Sequence, residues 1–405
     1  MIALADCNNF FASCERSIRP ELEGKPIVVL SNNDGCIIAR SNEAKVLGYK
    51  MGEPFFKVKD KLLQDQVYIF SSNVVLYRYI SNKIMSILDS ECNAMEVYSI
   101  DEAFMDFSKV ANPDEKAISL RNQILKELNI PISIGIAKTK VLAKLASNIA
   151  KKHTQTGVFF LSGKELVERA LSYYSVEALW GIGRKQQIFL NNNGIFQASQ
   201  LAKSNKTWIK RYLNIRGLRL VKELNEISCF HLQKTKPFKK SIMISRSFKQ
   251  ELGSFRILNE ALSNFASSCG LKLRKQKTRA KKMALFIQTN RFKRNLKSHY
   301  GYLEFNFPVP TNDSIEIIKT AYILLDKIYD KDCLYKRAGI IMLDIITDKE
   351  IQLNLFVKDN PTKRTKLMKV YDDINCKMGE GTLRLSIQGI NDKWGEANEP
   401  ISFSN

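Results

Sequence analysis

Histidine is scarce in this sequence, and its few copies are far apart. The three histidines are His153, His231 and His299, and none has the spacing of a metal-binding pair. The eight cysteines are also scattered and include no CxxC pair. This pattern argues against a zinc-finger framework and favours a reduced chain with buried thiols.

Long apolar stretches are missing as well. The start, MIALADCNNFF, has neither a basic n-region nor a long apolar h-region, so we expect no signal peptide. No uncharged apolar run approaches the length of a membrane span. We therefore expect a cytoplasmic protein with no membrane partner.

Acidic residues are in deficit. The chain has 63 Lys and Arg against 41 Asp and Glu, a formal net charge of +22. Such an excess favours a polyanionic partner, and nucleic acid is the commonest soluble one. A solvated basic surface, an acidic membrane or an acidic protein would fit the same composition. The length of 405 residues predicts two to four domains.

The first 165 residues alternate strand and helix patterns, which predicts an α/β or α+β domain. The predicted strands cover 2–6, 26–31, 36–39, 95–98, 103–107 and 131–137. The predicted helices cover 73–90, 112–128 and 139–151.

The rest of the chain divides into three parts. Residues 165–232 show short helical segments and no convincing strand, and a basic, Pro-containing linker follows at 233–240. A second, very basic domain follows, with strands at 283–289 and 338–346 and helices at 257–275 and 313–329. Residues 347–405 are less apolar and predict a tail with some local structure.

Three carboxylates form the strongest candidate site. Asp6 ends the first predicted strand, and Asp101-Glu102 occupy a turn between two apolar strands. Nucleotidyl transfer needs hard oxygen ligands for two magnesium ions, and the carbonyl of Cys7 is a further candidate ligand. Since adjacent strand residues point to opposite faces, the turn must re-aim Asp101 and Glu102 together. Two solvated turn carboxylates and a strand-end aspartate are the alternative.

Four separated blocks carry a resemblance to a known family. They are DCNNFFASCE from residue 6, SNNDGCIIARSNEAKVLGYKMG at 31–52, YSIDEAF at 98–104 and GIAKTKVLAKLASNIAKK at 135–152. Their order and spacing resemble Y-family DNA polymerases. The segments LSNNDGC and QLNLF are similar to the UmuC branch rather than the DinB branch. The resemblance extends from residue 1 to about residue 390.

This resemblance implies an α+β multidomain, right-hand polymerase fold. The expected parts are a ferredoxin-like palm (1–10 and 75–165), small fingers (11–74), a helical thumb with a helix-hairpin-helix (166–232), a linker (233–240), an α/β little finger (241–346) and a C-terminal tail (347–405) that carries a clamp-binding motif at 352–356.

The resemblance also implies roles for individual residues. Asp6, Asp101 and Glu102 are the expected catalytic acids and, with Cys7, the ligands of two Mg²⁺ ions. Phe11 lies at the steric-gate position, where an aromatic ring excludes a 2′-hydroxyl; the branch usually has Tyr there. The expected nucleotide-binding residues are Asn9, Phe10, Phe11, Asn42, Lys45 and Lys151. Without the resemblance, Phe10 and Phe11 would be interpreted as two core aromatics.

Two regions are expected to bind DNA. Gly181, Gly183 and Arg184 resemble a helix-hairpin-helix, whose glycines expose backbone N–H groups to a phosphate. Further contacts are expected from two basic runs in the second domain: Lys275, Lys277, Arg279, Lys281, Lys282, Arg291 and Lys293. Ordinary helix packing and a solvated basic face are the respective alternatives.

A short peptide near the C-terminus resembles a sliding-clamp motif. Gln352, Leu353, Leu355 and Phe356 combine a glutamine with spaced apolar anchors, which suits docking into a surface pocket. A last strand that packs its apolar residues inward is the alternative.

The expected function is template-directed DNA polymerization without proofreading, in error-prone translesion synthesis during the SOS response. The expected partners are primer-template DNA, deoxynucleoside triphosphates, a sliding clamp, a UmuD′ dimer and a RecA filament. A non-catalytic DNA- or clamp-binding relative is one alternative. A palm-type nucleotidyl cyclase is another, although it would not need the basic domain or the clamp motif.

Overall fold

The computed structural model describes residues 1–31, 34–233, 238–293, 297–348, 350 and 361–390. The chain divides near residue 236 into two compact units. The predicted clamp motif at 352–356 lies outside the described residues.

The first unit contains eight strands and ten α-helices within its described part. They are, in chain order, β1 (Ile2–Cys7), α1 (Phe10–Ser17), β2 (Ile27–Leu30), β3 (Ile37–Arg40), α2 (Asn42–Val46), α3 (Phe55–Gln64), β4 (Tyr68–Ser71), α4 (Val74–Ser90), β5 (Met95–Val97), β6 (Glu102–Asp106), α5 (Pro113–Leu128), β7 (Ile132–Ala137), α6 (Lys140–His153), β8 (Val158–Phe160), α7 (Lys164–Tyr173), α8 (Arg184–Asn192), α9 (Ala198–Ala202) and α10 (Lys206–Leu224).

A five-stranded sheet in the order β5-β6-β1-β7-β8 forms the centre of this unit. The series β1-α4-β5-β6-α5-β7 is a βαββαβ arrangement, and its four strands are antiparallel to their neighbours. This is the ferredoxin-like topology that the family resemblance implies. The strand β8 adds to the edge in parallel with β7.

The two faces of the central sheet are covered by different helices. Ala3, Ala5 and Cys7 of β1 share a buried cluster with residues of α1, α4 and α5. The alternate residue Leu4 packs with α6 and with residues from α7 to α10. Because side chains alternate along a strand, Asp6 lies on the same face as Leu4, the face that α6 covers.

The remaining parts of the first unit are a small sheet and a helical region. Strands β3, β2 and β4 form a three-stranded sheet, in which β2 pairs antiparallel with β3 and parallel with β4. From residue 164 to 224 the described structure is helical apart from an isolated bridge between Ser175 and Gln197. Helix α10 is interrupted at Asn214, whose φ is 59°.

The second unit packs helices on a four-stranded antiparallel sheet. Its elements are β9 (Ile242–Leu252), α11 (Phe255–Lys275), β10 (Thr278–Thr289), β11 (Tyr300–Thr311), α12 (Ser314–Ile328), β12 (Tyr335–Thr347) and α13 (Pro361–Met378). The sheet order is β11-β10-β12-β9. Apolar residues of the sheet, α11 and α12 form a single core cluster.

The described part of the C-terminal segment packs against this second core. Arg274 at the end of α11 makes two hydrogen bonds to the carboxylate of Asp372 in α13, at 2.6 and 2.7 Å. Gln388 exchanges hydrogen bonds with Asn264 of α11. Met368 of α13 is 3% exposed. No helix among the described residues is long and apolar enough to cross a membrane.

Candidate active site

The turn between β5 and β6 places the acidic pair at the end of β1. The N–H groups of Tyr98 and Ser99 both donate to the carbonyl oxygen of Glu102, at 3.0 and 3.1 Å, which closes the turn. Glu102 then begins β6 directly opposite Asp6. The N–H of Cys7 donates to the carbonyl of Asp101 at 2.9 Å. The predicted acids are thus brought together.

Lysines of α6 face these acids. Lys144 Nζ lies 2.9 Å from both carboxylate oxygens of Glu102, and Lys151 Nζ lies 3.1 Å from Asp6 Oδ1. Burial raises the pKa of Glu102, and the nearby Asp6 adds to the rise, while Lys144 opposes it. Burial also raises the pKa of the Cys7 thiol, with further contributions from Asp101 and Asp6. Cys7 is 3% exposed, and its side chain points to the face of β1 opposite to that of Asp6.

The donor set of this site fits a hard divalent cation. Asp6 and Glu102 are close enough for Asp6 to raise the pKa of Glu102, and a cation between two such carboxylates relieves their repulsion. Within the described ranges no three His, Cys, Asp or Glu side chains form a ready-made metal group. Asp101 Oδ1 instead accepts a 2.5 Å hydrogen bond from Ser99 Oγ. Coordination by all three acids therefore requires Asp101 to turn away from Ser99.

A polar cluster lies beside the acids. Asn9 has a φ of 50° and precedes α1, and its side-chain amide donates to Asn42 Oδ1 at 2.9 Å. Lys45 Nζ donates to the side-chain oxygens of both asparagines. Burial lowers the pKa of Lys45, and repulsion from Lys151 and Arg40 adds to this. Two lysines near Asp6 thus provide positive charge where a triphosphate is expected.

Phe11 stacks on another aromatic ring. Its ring centroid lies 4.5 Å from that of Tyr77, with an interplanar angle of 15°. Tyr77 is fully buried, and its hydroxyl donates to Glu15 Oε1 at 2.7 Å. Phe10, in contrast, is a core residue that is 4% exposed. The predicted gate ring is thus half-buried and supported from one side, whereas Phe10 is unsuited to direct contact with a nucleotide.

The two glycines of the predicted helix-hairpin-helix differ in conformation. Gly181 has a φ of 99°, which only glycine adopts without strain. Gly183 is the N-cap of α8, and Arg184 is the first residue of that helix. All three are exposed. The start of α8 is therefore exposed, and the N–H of Gly183 already donates to Gln186 Oε1 at 3.3 Å.

The basic runs of the second unit divide into two groups. Arg279, Lys282 and Lys293 pair with carboxylates, at 3.0 Å from Asp348, 3.3 Å from Glu304 and 2.9 Å from Glu251 respectively. Lys275, Lys277, Lys281 and Arg291 are exposed. Arg279, whose side chain is only 16% exposed, is the least suited of the predicted residues to contact a phosphate.

Comparisons with known proteins decide the family. Residues 5–148 match the impB/mucB/samB family, and residues 239–355 match the C-terminal domain of that family. The protein UmuC of Salmonella typhimurium strain LT2 is 38% identical over 408 residues, covering 99% of this chain and 97% of UmuC. The protein ImpB of Salmonella typhimurium is 35% identical over 99% of this chain and 96% of ImpB. The chain belongs to the impB/mucB/samB family of UmuC-like proteins.

Solved structures agree with this family in fold. A Y-family DNA polymerase chimera of Dbh and Dpo4 has a TM-score of 0.67 and 22% identity, covering 86% of this chain and all of the chimera. A structure titled as the insertion ternary complex of Dbh DNA polymerase has a TM-score of 0.54 and 24% identity, with the same coverage. The right-hand α+β polymerase fold expected from the sequence is confirmed. Residues 365–402 match a domain of unknown function.

Sequence reasoning missed several residues of this UmuC-like site. Lys144, Ser99 and Tyr77 contact Glu102, Asp101 and Phe11 respectively. Ser99 lies two residues before Asp101, and its Oγ accepts from the Asp101 N–H at 3.3 Å, so an ST-turn was a usable signal. Lys144 gave none, because a lysine on a helix normally faces solvent.

Proposed function

We propose that this protein is a translesion DNA polymerase that extends a primer 3′-end with deoxynucleotides during the SOS response, without proofreading. The observation that carries the proposal is the convergence of Asp6, Asp101 and Glu102 at the end of β1. A palm of ferredoxin-like topology bearing three carboxylates suits two-metal nucleotidyl transfer.

Asp6, Asp101 and Glu102, with the carbonyl of Cys7, are the proposed ligands of two Mg²⁺ ions. When bound, such ions help ionise the attacking hydroxyl and neutralise charge on the triphosphate. The hydrogen bond from the N–H of Cys7 to the carbonyl of Asp101 holds the end of β1 beside the turn that precedes β6. Lys45 and Lys151 add positive charge for the phosphates, and the Asn9–Asn42 hydrogen bond orients the residues around them.

Phe11 is the proposed steric gate. Because its ring stacks flat on the buried Tyr77, it cannot retreat in that direction when a ribonucleotide enters. A 2′-hydroxyl therefore meets a supported apolar surface that offers no hydrogen bond. Phe in place of Tyr retains the bulk of the gate and removes its hydroxyl.

DNA is proposed to bind the exposed start of α8 and the exposed lysines of the second unit, Lys275, Lys277 and Lys281. We further propose that the domain ranges expected from the sequence apply, and that residues 352–356 bind a sliding clamp. The resemblance to UmuC supports a UmuD′ dimer and a RecA filament as additional partners. Two of the solved structures with a similar fold are titled as ternary complexes of Dbh, which supports primer-template DNA and nucleotide as substrates.

The decisive experiment is primer extension across an abasic site, with and without clamp, UmuD′ and activated RecA. Asp101→Asn keeps the backbone contact to Cys7 and a side-chain partner for Ser99, so the fold is expected to survive. We expect its extension rate to fall by about a thousandfold, as for loss of a charged catalytic group.

Ser99→Ala is the matched control, because it removes the hydroxyl partner of Asp101 and leaves the carboxylate. We expect it to retain most of the extension activity. Failure of the unaltered chain on damaged and undamaged templates alike, with every partner present, would refute the polymerase proposal.

A further inference from the structure

Three lysines of α6 pair with acids from three neighbouring strands. Lys140 binds Glu96 of β5 at 2.5 Å, Lys144 binds Glu102 of β6, and Lys151 binds Asp6 of β1. The lysines are spaced by four and seven residues, so they lie along one face of the helix. Two of the three pairs involve proposed metal ligands.

Lys144 differs from the other two because two aromatic rings lie near its ammonium group, whereas Lys140 has one, that of Phe104 at 4.9 Å. Lys144 Nζ lies 5.1 Å from the ring centroid of Tyr98 and 5.9 Å from that of Trp180. Those rings meet edge to face at 5.5 Å, and Trp180 Nε1 donates to the Tyr98 hydroxyl at 3.0 Å. A cation at this distance from ring centroids is attracted to the faces of both.

Trp180 connects this pocket to the helical region. It directly precedes Gly181, the first glycine of the exposed hairpin that leads into α8. Its ring also contacts Phe230, at 5.7 Å, and Phe104 of β6, at 5.9 Å. A movement of the hairpin that shifts Trp180 therefore changes the surroundings of Lys144.

We propose that Lys144 is a positioning residue that couples the docking of Trp180 to the orientation of the Glu102 carboxylate. The inference rests on the polymerase function proposed above, because it assigns Glu102 to the catalytic metal site. Lys144 itself is not placed in contact with substrate.

The backbone and the side chain of Glu102 are held differently. Its carbonyl accepts two hydrogen bonds from the turn, so its backbone is fixed. Its carboxylate is held by Lys144 through both oxygens, and this carboxylate is only 13% exposed. The ammonium therefore sets the direction in which the carboxylate points.

The same ammonium competes with a divalent cation for Glu102. When a cation binds, Lys144 has to yield its contact with at least one carboxylate oxygen. The faces of Tyr98 and Trp180 attract the ammonium and help to hold it in its position beside Glu102. Loss of Trp180 removes part of that environment and loosens the position of Lys144.

The test measures Mn²⁺ binding to the full chain without DNA, by electron paramagnetic resonance, for Lys144→Met, Trp180→Leu and the double variant. We expect Lys144→Met to tighten Mn²⁺ binding about fivefold, because a partly buried competing charge is gone. We expect Trp180→Leu to tighten it about twofold. In the Lys144→Met background the Trp180 change should have no further effect.

Three further variants and a kinetic measurement separate positioning from a merely structural role. Lys144→Arg keeps the charge and should restore Mn²⁺ affinity to near that of the unaltered chain. Trp180→Phe keeps an aromatic ring, so its Mn²⁺ affinity should also be close to that of the unaltered chain. Lys126→Met removes one charge from α5, on the other face of the sheet, and should leave the affinity unchanged. In primer extension, Lys144→Met should lower kcat and leave the KM for nucleotide nearly constant.

If the effects of Lys144→Met and Trp180→Leu on Mn²⁺ affinity add in the double variant, the coupling is overturned. It is also overturned if Lys144→Met lowers the melting temperature and leaves the Mn²⁺ affinity unchanged. If Trp180→Leu does not fold, Tyr98→Phe, which removes only the acceptor of the Trp180 N–H, replaces it with the same expectations. The Mn²⁺ measurement needs no catalysis. An inactive chain in which the coupling persists would therefore refute the polymerase function and leave the coupling intact.

Discussion

Phe10 and Phe11 are adjacent in sequence, yet the fold gives them different surroundings. Asn9 has a φ of 50°, which turns the chain away from the direction of β1, and α1 begins at the next residue, Phe10. On a helix, neighbouring residues point about 100° apart. Phe10 therefore enters the core, while Phe11 stacks on Tyr77. The sequence predicted two aromatics at the site, but only the backbone turn distinguishes the proposed gate, Phe11, from the core residue, Phe10.

Phe11→Ala tests the gate. Removing the ring opens space for a 2′-hydroxyl, so we expect the ratio of kcat/KM for deoxyribonucleotides over ribonucleotides to fall about tenfold or more. Single-nucleotide insertion opposite an undamaged base measures this ratio for both sugars.

Tyr77→Phe is the matched control for the gate. It keeps the ring under Phe11 and removes the hydroxyl that donates to Glu15. We expect lower thermal stability, since a buried acceptor loses its partner, with sugar discrimination unchanged. A change of discrimination in Tyr77→Phe as large as in Phe11→Ala would contradict the gate assignment.

At the scale of elements, sequence patterns predicted the central strands of the second unit and missed its edge strands. The central strands β10 and β12 contain long apolar runs and were predicted in part. The edge strands β9 and β11 were not predicted. Strand β9 reads IMISRSFKQEL, and β11 contains Pro308 and Pro310. An edge strand tolerates proline and exposed charge because one of its sides makes no ladder hydrogen bonds, so its apolar pattern is weak.

For helices, too, sequence patterns predict the element but not the residues that it contacts. The helix α6 was predicted nearly to its ends, and so were the acids opposite it. The pairing of Lys144 with Glu102 was not, because it depends on how α6 lies across β1 and β6. Helix α3 and strand β4 were also missed. Periodicity predicts which face of an element is buried, but it does not predict what that face meets.

Glu223 of α10 joins three segments through one buried carboxylate. It is fully buried, and it accepts hydrogen bonds from the N–H groups of Val141, Cys229 and Phe230, at 3.2, 2.5 and 2.9 Å. Glu223→Leu would leave these N–H groups without an acceptor. We expect a loss of about 3 kcal/mol in the free energy of unfolding, measured by urea denaturation.

Glu165→Leu is the control for Glu223. The side chain of Glu165 is 90% exposed and pairs with Arg169 on the same helix. We expect its replacement to change the free energy of unfolding by less than about 0.5 kcal/mol. Equal losses for the two variants would show that the buried network around Glu223 contributes nothing specific.

We expect low pH to reduce the stability of the fold at the end of β9, where Glu251 lies. The hydrogen bonds from Lys293 and then Asn290 lower the pKa of Glu251 to about 2. Because this folded pKa lies below the ordinary value, the ionised carboxylate stabilises the fold above about pH 4.5, and the stabilisation is lost as pH falls toward 2. We expect Glu251→Gln to lower the melting temperature at pH 7. The difference from the unaltered chain should shrink between about pH 5 and pH 3, and a constant difference would contradict the assignment.

At the scale of the whole molecule, the excess of positive charge is not all available to DNA. In the second unit, Arg274 and Arg279 are used to hold α13 and the end of β12, through Asp372 and Asp348. Residues 365–390, the described part of the segment that matches a domain of unknown function, are thereby joined to the core of that unit. Counting basic residues in the sequence overestimated the binding surface, since it did not separate paired from exposed cations.

The exposed lysines should account for a definable part of DNA binding. Removing one lysine–phosphate interaction reduces the slope of log affinity against log salt by about 0.9. Changing Lys275, Lys277 and Lys281 together to Gln should therefore reduce that slope by about 2.7. Fluorescence anisotropy with primer-template DNA over a range of salt concentrations measures this slope.

The control changes Lys109, Lys126 and Lys164 to Gln, three exposed lysines of the first unit outside the proposed DNA contacts. Both variants have three fewer charges, so equal slopes would mean that DNA responds to net charge alone. A reduced slope in the first variant only would locate the contacts at the end of α11, the following turn and the start of β10.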